Sequence, residues 1–481
     1  MRIERHKSAL HRADLSRPLR QAMSDGLIRD DTSVMDYGCG RGGDVARLVE
    51  SGYDCVGWDP VHAPHGERRR SSVVNLGYVV NVIEDAQERI EVLKRAWSLA
   101  ENVLVVSARL ENERPSSSVP TLGDGILTRI GTFQKFYEQQ ELRTWIDRNL
   151  GCLSVAGAPG VFYVFRRPED RSGFVAHRFR RREPLPRLTD VKQLVEHHGG
   201  LLDGLASFMD DHGRLPEEEE LDGLGRLLET FGSVRRAYRT LAAVTEPDRW
   251  ERMRRVRSED LLIYLALAKF DGRPRLGELP VRMRRDVKAF FGSYAQACGQ
   301  ADELLFSIGG AEKLEQAAAS SQIGKLLPTA LYVHVDAISR LTLPLRLYEG
   351  CARAVLGEVE DATIVKFRRD EPKISYLSYP EFERVAHPPL AESVSVHLQT
   401  FRVRTRRYAR SANPPVLHRK EAFLAPDHPA RGKFERLTAA EQRAGLLDET
   451  SRIGTRDGWE ALLDTKGLTV RGHRLMSVSS G

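Results

Sequence analysis

The stretch MDYGCGRGGD, residues 35 to 44, constrains this chain more than any other. It closes the apolar run TSVMDYG and leads into GDVARLVESG, whose apolar residues fall three and four apart as on one face of a helix, with Gly52 at its end. Four glycines between a strand and a helix let the backbone turn tightly and bring a ligand close to the main chain. The alternation continues. YDCVGWDP reads as a strand stopped by Pro60, SSVVNLGYVV as a third strand, AQERIEVLKRAWSLA as an amphipathic helix and ENVLVVSARL as a further strand. A loop rich in Ser, Pro and Gly follows (111–125), then a helix over FQKFYEQQELRTWIDRNLG and a closing strand near VFYVFRR. Such alternation predicts an α/β domain, a mostly parallel sheet with helices on both faces.

At 481 residues the chain exceeds what one hydrophobic core organises, and its pattern predicts three regions. Residues 1–170 form the α/β domain, 185–320 a helical domain, and 325–481 a C-terminal α/β region of unassigned topology. The helical reading rests on LTDVKQLVEHH, LDGLGRLLETFG, SEDLLIYLALAKF with Ser258 as N-cap, and RRDVKAFFGSYAQA. The acidic run Glu217 to Glu220 after Pro216 suits a solvated helix start, where negative charge favours the dipole. In the last region ATIVKFRR, KISYLSYP and SVSVHLQTFRVRTRRY read as strands.

Composition excludes some classes. No run of about 18 apolar residues is present, so no helical membrane span is expected. The basic N-terminus lacks the apolar core and cleavage site of a signal peptide, and a mature cytoplasmic protein is the expectation. Five scattered cysteines with no CxxC pair predict reduced thiols and no cysteine metal site. The net charge of +6 permits a polyanionic partner without requiring one.

Two templates fit the glycine turn. Gly38, Gly40 and Gly43 satisfy G-x-G-x-x-G, the dinucleotide fingerprint; Asp36, Gly38, Gly40 and Gly42 satisfy D-x-G-x-G-x-G. Charge separates them. A dinucleotide lays an anionic pyrophosphate on this turn, which Asp36 and Asp44 would repel, whereas a ligand carrying ammonium and sulfonium groups suits an acidic turn. Asp59, at the end of the second strand, stands near the spacing of about 20 residues at which a carboxylate meets ribose hydroxyls. Only PVHAPHGERRRS lies between Asp59 and the next strand, too short for a helix, strand and second helix, so the sheet is expected to be trimmed.

Asn75 and Tyr78, in VVNLGYVVNVIED, are placed at the carboxyl tip of the third strand, where open α/β sheets bind ligands. An amide oxygen and a backbone carbonyl there accept hydrogen bonds from an amino group while an aromatic stacks on its base. Further along, FRVRTRRYAR sets Arg402, Arg404 and Arg406 at period two, so a strand would project all three from one face beside Tyr408, which suits a phosphate backbone and equally a solvated basic face paired with local carboxylates. HRFRRR (177–182) and KFRRDEPK (366–373) add two basic clusters, and RHK (5–7) with Arg17 could form an entrance for an anionic substrate. His334 and Asp336 form an H-x-D pair without a third ligand at matching spacing, which reads as a buried histidine; no metal site is assigned.

The D-x-G-x-G-x-G motif resembles motif I of class I S-adenosylmethionine-dependent methyltransferases, and Asn75-Leu76-Gly77-Tyr78 keeps the first and last residues of the [D/N/S]-P-P-[Y/F/W] motif of amino-methyltransferases that act on nucleobases, without its prolines. RHKSALHRADLSRP, MDYGCGRGGD, VVNLGYVVNVIED, KLLPTALYVHVDAI, KFRRDEPKISYLSYPEF, NPPVLHRKE and IGTRDGWE together resemble the methyltransferases associated with bacterial DNA phosphorothioation systems, nearly from end to end. The resemblance implies a Rossmann-like class I methyltransferase domain with S-adenosylmethionine as cofactor. Asp36, Gly38, Gly40 and Gly42 would hold its methionine part, Asp59 its ribose, and Asn75 would border it. Asn75 and Tyr78 would orient the acceptor. It also implies nucleic acid, DNA first, as substrate and phosphorothioation-system proteins as partners. Two other readings stay open: a non-catalytic protein that binds a nucleoside ligand and recognises nucleic acid or a partner protein, and a small-molecule methyltransferase.

Overall fold

The computed structural model describes residues 3–8, 14–115, 119–181, 200–217, 219–243, 245–246, 248–451 and 453–478. The helix expected over LTDVKQLVEHH lies outside them, as does Arg182. The chain forms two compact units: residues 1–167 with 311–481, and residues 168–310.

The first unit opens with helix α1 (Arg17–Ser24), strand β1 (Val34–Tyr37), helix α2 (Gly43–Glu50), strand β2 (Cys55–Trp58), strand β3 (Ser71–Gly77), helix α3 (Ala86–Leu99) and strand β4 (Ala100–Ser107). A small three-stranded sheet follows: β5 (Thr121–Leu122), β6 (Gly125–Leu127) and β7 (Phe133–Gln134). Then come helix α4 (Gln139–Leu150) and strands β8 (Val155–Ala158) and β9 (Val161–Phe165). The main sheet runs β2-β1-β3-β4-β9-β8; the first four strands are parallel, while β9 runs antiparallel to both β4 and β8. This is the Rossmann-like α/β fold read from the sequence, and it is trimmed as expected: residues 59–70 run directly from β2 to β3. The chain leaves β1 for β2 on one side and returns to β3 on the other. That reversal opens a crevice at the carboxyl ends of the strands.

Strand β3 is buried along most of its length because both its faces are covered. Leu93, Ala96, Leu142 and Ile146 from α3 and α4 pack on Val74, Leu76, Leu104, Val106 and Phe162, all fully buried. Each large side chain so buried stabilises the fold by about 1.5–3 kcal/mol. The sequence placed a helix from Phe133; instead Phe133 and Gln134 pair with β6, and α4 starts at Gln139 behind Glu138, which forms a capping box with Glu141. Two bulky aromatics, Phe133 and Tyr137, gain more from burial than from the helix.

The C-terminal part of this unit is a six-stranded antiparallel meander in sequential order: β10 (Lys325–Leu327), β11 (Ala330–His334), β12 (Ile364–Arg368), β13 (Lys373–Ser378), β14 (Glu392–His397) and β15 (Arg402–Arg407). A two-stranded sheet, β16 (Leu468–Arg471) with β17 (Arg474–Ser477), closes it.

The second unit is helical. Ser258 is not an N-cap: the helix runs Arg249–Leu267, and the Ser258 hydroxyl bonds back to the Arg255 carbonyl at 2.9 Å. RRDVKAFFGSYAQA splits at Gly292 into Val281–Phe291 and Tyr294–Ser307. Glu220 is not a solvated helix start either. Its side chain is 5% exposed and receives two hydrogen bonds from Arg214, at 2.6 and 2.7 Å. Burial pushes its carboxyl up, but Arg214 and the Glu217 amide outweigh this and hold it at about 2.

His212, at the end of helix Leu201–His212, is buried against Phe208. Burial first, then Arg282, Arg180 and Arg214, pull it down to about 3. Its folded value lies below that of the unfolded chain, so its contribution is complete above pH 6.5 and is lost as pH falls toward 3. From pH 7 to pH 5 the loss should be roughly 2 kcal/mol. Denaturant unfolding at the two pH values should show that loss in the parent and a shallower pH dependence in His212→Gln; equal slopes would refute it.

Candidate functional site

The crevice at the strand tips holds a cavity of about 360 Å³. At the tip of β1, Tyr37 is followed by Gly38, with φ of 87°, where a Cβ would stand 2.4 Å from Val79 Cγ2. Both the backbone angle and the space demand glycine. Gly42, with φ of 74°, is the N-cap of α2 and has open space around it.

The turn is stitched to the tip of β2. The amides of Gly38 and Cys39 donate to the Trp58 carbonyl at 2.8 and 3.1 Å, and the Gly40 amide donates to Asp59 Oδ2 at 3.1 Å. Asp59 Oδ1 accepts from the amides of Val61 and His62 at 2.9 and 2.8 Å. A carboxylate accepts about four hydrogen bonds, so three backbone donors orient Asp59 and leave capacity for a hydroxyl. In a dinucleotide site the second glycine of the fingerprint is the one whose backbone meets the pyrophosphate. Here that glycine is Gly40, and a carboxylate already occupies its amide.

Gly38, Gly40, Asp59 and Tyr78 border the cavity together. Asp36 and Asn75 do not. They face one another in register on β1 and β3, both buried, with Asn75 Nδ2 donating to Asp36 Oδ1 at 2.8 Å. The strand tip is Gly77 rather than Asn75, so the pleat turns the amide into the sheet. Tyr78, with φ of 60°, follows directly and anchors its own amide on the Ser107 carbonyl at 3.0 Å. A bulky residue in the left-handed region stores of order 1–3 kcal/mol, held by its surroundings. Gly42 stands behind the turn, where it starts α2. Asp44, in the first turn of α2, is buried at the cavity and accepts from the Ser16 amide at 2.9 Å.

Several wall residues carry no sequence motif. Tyr37 and Trp58 meet at 5.0 Å between rings, and Val79, Val82 and Ile83 complete an apolar lining. Trp58 could have been noticed, since it directly precedes Asp59. At the rim Arg5 donates to Glu84 at 2.7 Å and to both oxygens of Glu88 at 2.6 and 2.7 Å, and these carboxylates raise its pKa further. Arg5 thus reaches the cavity as the RHK reading expected, but with its charge matched. Arg17 instead lies 3.8 Å from Glu360. No described residue of the 111–130 loop borders the cavity.

Elsewhere, Arg402, Arg404 and Arg406 are exposed on the edge strand β15, at register positions opposite His397, Ser395 and Ser393. Members of the other basic clusters are paired locally: Arg181 with Glu259 and Asp260, Arg368 with Asp370, and Arg369 with Glu315. His334 is buried, and its Nδ1 accepts from the Asp336 amide at 3.4 Å. All five cysteines are free thiols.

No protein-family model matches this chain, and no curated protein matches it. Solved structures do. A 1,6-didemethyltoxoflavin-N1-methyltransferase from Burkholderia thailandensis, with bound 1,6-didemethyltoxoflavin and S-adenosylhomocysteine, is 15% identical over 34% of this chain and 78% of its own, with a TM-score of 0.23. The sugar N-methyltransferase KedS8 from Streptoalloteichus is 15% identical over 31% and 85%, with a TM-score of 0.25. A SAM-dependent methyltransferase from Aquifex aeolicus is 15% identical over 34% and 95%, with a TM-score of 0.24. Among the described residues no helix is long and apolar enough to cross a membrane.

Proposed function

We propose that the α/β domain binds S-adenosylmethionine and transfers its methyl group to an acceptor. The observation that carries this reading is the Gly40 amide donating to Asp59: the turn is closed to a pyrophosphate and presents a carboxylate to a ribose. The cofactor supplies an activated methyl group whose C–S bonding electrons return to sulfur as the new bond forms. The chain supplies position. Gly38 and Gly40 leave room at the turn, and Asp59 takes the ribose hydroxyls. Trp58 and Tyr37 wall one side, while Val79, Val82 and Ile83 keep water from the reacting atoms. Tyr78 stands on the acceptor side. Asp36 and Asn75 act from behind, as a hydrogen-bonded pair that sets the ends of β1 and β3.

For the acceptor we favour nucleic acid, DNA first, in a phosphorothioation-linked modification or defence setting that includes partner proteins of that system. This reading is supported by the row Arg402, Arg404 and Arg406, which projects from one face with no matching row of carboxylates opposite it, and by the family likeness of the C-terminal half. The test is transfer of labelled methyl from S-adenosylmethionine to DNA, RNA or cell extract. Label in DNA, reduced at least 10-fold by Arg402, Arg404 and Arg406 changed together to Ala, is the expected result. Label only in a metabolite would replace the substrate class. Cofactor binding with no transfer to any acceptor would make the protein a nucleoside-ligand sensor.

A further inference from the structure

Three ligand-type side chains converge in the C-terminal part of the first unit, with no role in the cavity above. His387 lies between β13 and β14, His418 follows β15, and Glu441 sits on the helix Arg431–Arg443. One nitrogen from each imidazole and one carboxylate oxygen all lie within 4.8 Å of one another. All three side chains are buried: that of His387 is 6% exposed, His418 as a residue 9%, and Glu441 1%.

The hydrogen bonding is what a cation site requires. His418 Nε2 stands 2.7 Å from the Ile453 carbonyl, which can only accept, so this nitrogen carries the proton. Nδ1 is therefore a bare lone pair, and it is buried with no hydrogen-bond partner among the described residues. An imidazole anchored through one nitrogen to a backbone carbonyl, with the other turned inward, is the arrangement that orients metal-bound histidines. Glu441 Oε1 lies 2.8 Å from His387 Nε2 yet is not aligned to accept a hydrogen bond and is likewise unpartnered among the described residues. Trp459 packs against both rings, with centroids 4.4 and 4.7 Å away, and fixes their planes.

We propose that His387, His418 and Glu441 form a site for a divalent transition-metal ion of the zinc class. Two imidazoles and one carboxylate are a zinc donor set, and ligand atoms about 2.1 Å from one ion stand roughly 3.4 Å apart in a tetrahedron. The present spacing brackets that value and closes on it by small ring rotations. Three protein ligands leave the fourth position to water. The ion would clasp the helix to two loops that a β-bridge between Pro389 and Val416 already joins, which gives it a structural role.

The experiment uses the full-length protein, stripped with a chelator and checked for native circular dichroism. Zinc is titrated in competition with a chromophoric chelator, and Co2+ is added as a spectroscopic probe. One equivalent of zinc should bind, Co2+ should show the intense visible absorption of a tetrahedral centre, and zinc should raise the melting midpoint. His418→Gln and Glu441→Gln, which keep side-chain volume, should each weaken binding by at least about 10-fold. Asp336→Asn, which alters the exposed carboxylate of the separate His334–Asp336 pair, should bind like the parent. No uptake at micromolar zinc by the folded, stripped parent would overturn the site, as would folded variants that bind zinc as tightly as the parent.

Discussion

Replacing Asp59 by alanine should weaken binding of S-adenosylhomocysteine, the demethylated product, by at least about 100-fold while leaving the chain folded. Asp59 does two things at once. Its carboxylate takes the amides of Gly40, Val61 and His62, which fixes the glycine turn against β2, and its remaining capacity faces the cavity. Hydrogen bonds to a charged acceptor contribute about 1.5–3 kcal/mol each, so loss of the ribose contact and of the turn's geometry together exceed the roughly 2.7 kcal/mol that 100-fold represents. Asp59 is half-buried and its partners lie near solvent, so water replaces most of the lost backbone bonds and the melting midpoint should fall by only a few degrees. Calorimetric titration of parent and variant measures the first effect and a thermal scan the second. Unchanged affinity would remove Asp59 from the site.

Gly38→Ala should be more damaging to the fold than Gly42→Ala, although both glycines have positive φ. At Gly42 a Cβ meets nothing within 4 Å, so only the backbone penalty of about 1 kcal/mol applies. At Gly38 the same penalty adds to a 2.4 Å clash with Val79 Cγ2, and overpacking costs about 1–3 kcal/mol more. The clash also drives the turn into the cavity, so cofactor binding should be lost in Gly38→Ala and largely kept in Gly42→Ala. Val79→Ala in the Gly38→Ala background should recover part of the stability, because it removes the clash and not the strain. Equal effects of the two single substitutions on unfolding free energy would contradict this assignment of roles.

Much of the N-terminal domain was legible because its signals are local. The glycine turn, the amphipathic α2 and the strand ending at Asp59 follow from residue spacing, and the trimmed sheet follows from counting residues between Asp59 and Ser72. Asn75 was misplaced by two residues. A strand's tip is set by what its last residues bond to, and here Gly77 and the Tyr78 amide bond across to Ser107. The β8–β9 hairpin was half seen, since Val155–Ala158 is short and contains Gly157. Glu220 looked like a solvated charge because the irregular turn that folds Arg214 back onto it carries no periodic signal, and Arg285 comes from a distant helix. The same holds for His387, His418 and Glu441, which only the tertiary fold brings together. Arg402, Arg404 and Arg406 were readable as one face because a strand alternates every second residue.

The central claim is that the turn between β1 and α2 receives a cationic nucleoside ligand and refuses a diphosphate. Calorimetric titration of the full chain with S-adenosylhomocysteine and, separately, with NAD tests it directly. Stoichiometric binding of S-adenosylhomocysteine, with no heat from NAD at the same concentrations, is the predicted result. NAD binding that S-adenosylhomocysteine fails to displace would contradict it.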